Sequence, residues 1–76
     1  MQITLINDWQ EIADFDCVFQ LRTTGFAEIK LAAELPSESA GIVIKPLDIN
    51  QFEFREGLKL WARSDRVDAV LEVQEV

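Results

Sequence analysis

The sequence lacks histidine altogether and holds a single cysteine among its 76 residues. Histidine is the commonest general base, the usual partner in a catalytic triad and a frequent ligand of transition metals, so its absence removes the main routes to catalysis and metal binding. Cys17 has no histidine to activate it and no second cysteine to pair with. It lies in phase with Phe19 and Leu21, which predicts burial. We therefore expect no enzymatic activity, no metal site and no cofactor.

Glycine and long apolar runs are also scarce. Gly25, Gly41 and Gly57 lie far apart at predicted turns, which excludes a glycine-rich loop that cradles phosphate. No apolar run approaches the ~20 residues that span a bilayer, and no charged leader followed by an apolar segment and a cleavage site opens the chain. We expect a protein that is neither secreted by that route nor inserted in a membrane, with synthesis in the reducing cytosol.

Basic residues are the third scarcity, because 7 lysines and arginines face 14 acidic residues and give a formal net charge of -7. Phosphate backbones and anionic lipid headgroups repel such a chain, so we expect neither nucleic acid nor a membrane as partner. Two acidic pairs, Asp14 with Asp16 and Asp65 with Asp68, could collect a calcium ion. Neither pair has the ordered spacing of a calcium-binding loop, and we interpret both as solvated loops.

Apolar residues are abundant, at 49% of the chain with five Phe and two Trp. Such a composition favours a folded chain, and 76 residues suffice for one domain, spanning residues 1–76. A domain of this size buries only about 60% of the surface that its unfolded chain exposes, so association with another subunit would stabilise it.

Apolar residues recur at every second position, which is the period of a β-strand. The pattern predicts strands near residues 3–5, 17–21, 27–31, 42–45, 51–55, 58–63 and 69–73. Turn residues at 23–25 and 55–57 predict two hairpins, and segment 35–41 predicts a loop. One helical turn within residues 8–16 is the competing interpretation. The expected fold class is all-β, a small antiparallel β-sandwich or barrel of about six to seven short strands.

Trp61 stands out because alternation places it in phase with Lys59 and Arg63 and out of phase with the core residues of its strand. We expect the indole to face outward. Three valines also fall between core-facing neighbours and predict an apolar stripe on the outer side. Because aromatic and arginine side chains are preferred anchors of protein contacts, these residues form a candidate interface: Trp61, Lys59, Arg63, Val18, Val43 and Val70.

Other interpretations of this outer face remain open. The sandwich can be partly buried on both faces, or single exposed apolar side chains can simply be tolerated. Trp61 can also act as a stacking platform for a sugar ring, with Gln20, Gln74 or nearby carboxylates bonding the hydroxyls.

The carboxyl-terminal half has a more particular pattern: residues 40–46 (AGIVIKP), an aromatic strand at 51–54, then 57–64 (GLKLWARS) and 69–75 (AVLEVQE). This pattern resembles the small β proteins encoded among the structural genes of tailed bacteriophages and prophages. Trp9, the strand with Phe19 and Gln20, and the loop 34–36 sit where such proteins carry similar features, so the likeness spans most of the chain.

The resemblance implies a non-enzymatic, virion-associated structural or adaptor protein, such as a head or tail accessory or a fibre-linked module. It implies a homo-oligomer that contacts other phage structural proteins, made in the bacterial cytoplasm and carried in the virion. It transfers no functional residue to this chain. The alternatives are a small glycan- or receptor-binding module that uses an exposed Trp61, and an inhibitor of a basic host protein suggested by the charge of -7.

Overall fold

The computed structural model describes residues 1–37 and 40–76 and contains eight β-strands in two antiparallel sheets of four. The predicted all-β class is confirmed, with a sandwich-like arrangement and one or two strands more than expected. The strands are β1 Gln2–Thr4, β2 Gln10–Ala13, β3 Cys17–Leu21, β4 Ala27–Ala32, β5 Ile42–Ile44, β6 Asn50–Phe52, β7 Lys59–Arg63 and β8 Val70–Glu75. Among the described residues we find no helix with the length and hydropathy needed to cross a membrane.

Consecutive strands lie in alternate sheets, except that β4 and β5 share one sheet. Sheet I has the order β1-β8-β3-β6, and sheet II has the order β2-β7-β4-β5. Strands β8 and β3 occupy the centre of sheet I, and β7 and β4 occupy the centre of sheet II. The edge strands of the described chain are therefore β1 and β6 in one sheet and β2 and β5 in the other.

The hydrophobic core lies between the sheets and is built largely from alternating strand residues. Cys17, Phe19 and Leu21 of β3 are all buried, in the burial pattern of a strand with one inward face. The buried cluster comprises Leu5, Ile12, Ala13, Cys17, Phe19, Leu21, Ala27, Ile44, Phe52, Leu60, Ala62, Ala69, Leu71 and Val73. Burial, together with the negative charge of the neighbouring Asp16, raises the pKa of the Cys17 thiol, which keeps it unreactive.

Both predicted hairpins are wrong. Strands β3 and β4 flank the turn at 23–25 but lie in different sheets, and so do β6 and β7 around the turn at 55–57. Each turn carries the chain across the core from one sheet to the other. Alternation specifies only which side chains of a strand face inward. The same pattern arises when two consecutive strands pair in one sheet and when they lie in opposite sheets.

The one pair of consecutive described strands that share a sheet is β4 and β5, which pair antiparallel across the predicted loop 35–41. The described part of that segment contains no strand, and its residues Glu38 and Ser39 lie outside the described residues.

The alternative helical turn within residues 8–16 is wrong, because Gln10–Ala13 forms β2 and pairs with β7. The register shifts between Glu11 and Ala13, so the adjacent Ile12 and Ala13 are both buried. Such a bulge breaks the two-residue period and leaves apolar spacing that imitates a helix.

The chain crosses from sheet II to sheet I between β5 and β6. Leu47 fixes this corner: its N–H donates to the Leu21 carbonyl over 2.8 Å, and its own carbonyl accepts from the Gln20 side chain over 2.8 Å. Leu47 adopts a φ of 68°, in the left-handed region that is unfavourable for a bulky residue. The corner brings β5 and β6 to the same side of the sandwich.

Candidate interaction surface

Trp61 lies on the outer face of sheet II, as alternation predicts. It is paired directly with Glu11 of β2 and with Lys30 of β4, and directly paired residues share a face of the sheet. Its neighbours Leu60 and Ala62 belong to the core on the opposite face.

The prediction that Trp61 is exposed is wrong. Its side chain is folded onto the sheet, with only 8% exposure, and the indole Nε1–H donates to the Ala32 carbonyl over 2.9 Å. The interpretation that the sandwich is partly buried on both faces therefore describes sheet II. An indole can be buried at little cost when a neighbouring acceptor bonds its N–H. Alternation shows which face of the sheet a side chain is on, but not whether neighbouring residues cover it.

A second tryptophan belongs to the same outer layer. The Arg63 guanidinium lies 4.4 Å from the centroid of the Trp9 ring, in cation–π geometry. Arg63 Nε also donates to Glu28 Oε1 over 3.2 Å, and Glu28 Oε2 accepts from the Gly41 N–H over 2.8 Å. Trp9 Nε1 is buried without a hydrogen-bond partner among the described residues, so packing and Arg63 hold this ring. The array connects β7 and β4 with the residues that directly precede β2 and β5.

Glu28 gives this array a dependence on pH. The hydrogen bond from Gly41 and, after it, the hydrogen bond and charge of Arg63 lower the pKa of Glu28 below its ordinary value. A depressed pKa stabilises the folded chain above the unfolded-state pKa, and this contribution is lost as pH falls through the folded-state pKa.

We expect Glu28→Gln to lower the free energy of unfolding by about 1 kcal/mol at neutral pH, since the amide keeps an acceptor but loses the charge. The difference from the parent should shrink as pH falls below the ordinary glutamate pKa and through the lowered pKa of Glu28, where the parent carboxylate becomes protonated. Urea unfolding at pH 7 and pH 3 measures both values. A deficit that stays equal at the two pH values would contradict this role, and Glu56→Gln in an exposed turn is the neutral-pH control.

Gly41 is required by close packing. A Cβ built on Gly41 would lie 2.4 Å from the Ile29 carbonyl oxygen and 2.7 Å from Cη2 of Trp9, and the backbone oxygen cannot move aside cheaply. We expect Gly41→Ala to lower the free energy of unfolding by about 2 to 3 kcal/mol, measured by urea unfolding.

Gly57→Ala is the matched control for this packing effect. Gly57 has a φ of 84° with open space around its Cα, so its substitution incurs backbone strain alone. We expect a loss of about 1 kcal/mol at this position. An equal loss at the two glycines would show that conformation, and not the contact with Ile29 and Trp9, determines the need for Gly41.

The other residues of the candidate interface are divided between two surfaces. Val18 and Val70 lie on the outer face of sheet I, where both are half-buried and pair with Gln74 and Thr4 respectively. Val43 is paired with Glu28 on the outer face of sheet II. The predicted single apolar stripe is therefore wrong, because the alternation of one strand cannot tell to which sheet that strand belongs.

Lys59 and Arg63 remain on the face of Trp61, and each has an acidic partner on a neighbouring strand. Lys59 Nζ lies 3.2 Å from Glu11 Oε1, and Arg63 Nε lies 3.2 Å from Glu28 Oε1. Both cations thus form ion pairs within the chain, and the Trp61 side chain between them is buried. The outer face around Trp61 therefore offers little free surface to a partner.

A different apolar surface is exposed to solvent, and the alternation of residues did not predict it. Leu31 pairs with the core residue Leu60, and Ile42 pairs with Ile29, so both side chains point towards the opposite sheet. They are nevertheless 49% and 69% exposed. The sandwich is thus unclosed along its β5–β6 side, where inward-facing apolar side chains meet solvent.

This opening is a cleft of about 380 Å³ between the sheets. Its floor is apolar, and Gln51, Glu53 and Arg55 lie among its lining residues. The side chains of the floor are Phe19, Ile29, Leu31, Ile42, Phe52 and Leu60. The one signal in the sequence was β5 itself, whose three residues Ile42–Ile44 are all apolar, as in a strand covered on both faces.

A second hollow, of about 620 Å³, lies on the other side of β5, on the outer face of sheet II. Val43 and Phe26, both exposed, line it together with Glu28 and Arg63. Strand β5 therefore separates two hollows, with Ile42 directed into one and Val43 into the other.

Exposed apolar residues lie on both faces of β5. Val43 is 56% exposed on the outer face, and Ile42 is 69% exposed on the inner face beside Leu31. We name this surface the β5 edge and define it by Leu31, Ile42 and Val43. Monomeric proteins rarely expose contiguous apolar surface without a binding role.

Comparisons of the chain with protein-family models, curated proteins and solved structures find no match. Within the described parts of the chain, no three His, Cys, Asp or Glu side chains are grouped as metal ligands would be. One acidic side chain has a structural contact: Asp16 Oδ1 accepts from the Phe54 N–H over 2.6 Å and connects the β2–β3 and β6–β7 segments.

Proposed function

We propose that the protein is a non-enzymatic structural or adaptor protein that acts by self-association and contacts with other proteins. The observation that carries the proposal is the β5 edge, where Leu31 and Ile42 point into the sandwich yet remain exposed. The setting in a tailed phage or prophage particle belongs to the same proposal and rests on the resemblance of the sequence.

The charge distribution supports this choice of surface. The chain carries 14 acidic residues, yet residues 40–47 (AGIVIKPL) include none and only one lysine. An interface core is typically depleted in charge and enriched in apolar side chains. Contact at this stretch avoids the repulsion that two chains of charge -7 exert elsewhere.

The glycan-binding alternative depended on an exposed Trp61, and Trp61 is buried. Stacking of a sugar ring needs an open aromatic face, and Trp61 is buried with its N–H bonded to Ala32. No other observation favours a sugar site, so we retain association as the single proposed function.

Analytical ultracentrifugation of the unmodified protein over a range of concentrations tests the proposal. We expect a mass above that of one chain, and we expect Ile42→Ser to weaken association by at least ~10-fold, or about 1.4 kcal/mol. Val67→Ser is the matched control, since Val67 is exposed in the β7–β8 connection and lines neither of the two hollows beside β5. A parent protein that sediments as one chain at every concentration would contradict the proposal.

A further inference from the structure

The four edge strands of the described chain differ in how they are protected from pairing with another chain. Strand β1 is mostly polar, β2 carries Glu11 and a register shift, and β6 carries Asn50 and Gln51. Charges, polar side chains and bulges are among the devices that keep sheet edges from unwanted pairing. Strand β5 has none of them, because its residues are Ile42, Val43 and Ile44.

The surroundings of β5 suit an added strand. A strand that pairs with β5 would send alternate side chains to the two faces of sheet II. One face offers the cleft that holds Ile42, and the other offers the hollow lined by Val43. Strand addition typically combines backbone hydrogen bonds with pockets for alternate side chains, and both elements are present here.

A second copy of the same strand fits this site. When two β5 strands pair antiparallel about Val43, each Ile42 lies opposite Ile44 of the other copy on the inner face, and the two Val43 side chains meet on the outer face. Every pair is then apolar with apolar. The stretch 40–47 brings no acidic residue to the contact, although each chain carries 14.

We propose that two copies associate through antiparallel pairing of their β5 strands, with the two-fold axis at Val43. The pairing joins the two copies of sheet II into one continuous sheet of eight strands. Ile42, left open in the single chain, comes to lie opposite Ile44 of the second copy. This inference rests on the proposed function and specifies its interface.

Disulfide trapping with Val43→Cys tests the pairing. Directly opposite residues of antiparallel strands have Cα atoms about 4.5 to 5.5 Å apart, within the range that a disulfide spans. With oxidised glutathione as oxidant, we expect the variant to form a covalent dimer, seen by non-reducing electrophoresis. Native Cys17 does not compete, because it is buried and its thiol pKa is raised.

Ile42→Cys is the control that tests the register. Position 42 is as exposed as position 43 but lies opposite residue 44, so its own counterpart is diagonal and too distant for a good disulfide. At a protein concentration at which sedimentation shows all three variants to be associated, we expect Val43→Cys to cross-link at least ~10-fold faster than Ile42→Cys and than Val67→Cys. Melting curves like that of the parent confirm that the exposed substitutions leave the fold intact.

The outcomes separate the two proposals. If the parent sediments as a dimer but Val43→Cys cross-links no faster than Val67→Cys, the β5 pairing is overturned while self-association stands. If Ile42→Cys cross-links as fast as Val43→Cys, the two-fold axis is not at Val43. If the parent is a single chain at every concentration, both proposals fail.

Discussion

Replacing Trp61 by alanine should lower the free energy of unfolding by about 3 to 5 kcal/mol, the usual cost of truncating a buried tryptophan. The indole is 8% exposed and its N–H is bonded to the Ala32 carbonyl, so the variant loses both packing and a hydrogen bond. Urea unfolding followed by far-ultraviolet circular dichroism measures the loss without depending on tryptophan emission.

Trp61→Phe separates the two contributions. The phenyl ring keeps most of the apolar contact but leaves the Ala32 carbonyl without its donor, so we expect a loss of about 1 to 2 kcal/mol. A Trp61→Ala variant that unfolds at the same urea concentration as the parent would show that the ring is not packed on sheet II.

Replacing Phe19 by alanine should also cost about 3 to 5 kcal/mol, because the ring belongs to the core and is only 3% exposed. Phe19 belongs to β3, which is paired on both sides by β8 and β6, so the surrounding backbone cannot readily collapse into the cavity. The same unfolding measurement gives the value.

Phe26→Ala is the matched control for Phe19→Ala. Phe26 is more than half exposed, and the contact it makes through Ser64 uses its backbone carbonyl, which alanine retains. We expect a loss below about 1 kcal/mol. Equal losses for the two phenylalanines would mean that the inward face of β3 has been assigned incorrectly.

The fold class and most strand positions could be predicted from the sequence. Two-residue alternation is a local property of an extended chain with one buried face, and residues such as Cys17, Phe19 and Leu21 carry it without interruption. Where a bulge breaks the period, as at Ile12 and Ala13, the strand was instead compatible with a helical turn.

Strand pairing could not be predicted to the same extent. The short turns after β3 and β6 carry the chain between sheets, although turn residues there are also typical of hairpins. Both arrangements direct the same side chains into the same core. The choice between them depends on pairing over long sequence distances, such as β3 with β8, which local pattern does not contain.

The candidate site was predicted only in part. Val43 was among the predicted interface residues and does lie on the exposed β5 edge, whereas Trp61 faces outward but is covered within the chain. Ile42 and Leu31 lie at inward-facing positions of their strands, where alternation predicts burial. Phase gives the direction of a side chain, but exposure also depends on whether the opposite sheet extends far enough to cover it.

Hydrogen–deuterium exchange of the backbone amides of Ile42–Ile44, followed over a range of protein concentrations, reports directly on whether a second copy pairs with β5. Protection of these amides should exceed that of the edge strand Gln2–Thr4 at high concentration and decline on dilution as the copies separate. Amides of β5 that exchange as freely as those of β1 at every concentration would contradict association through this edge.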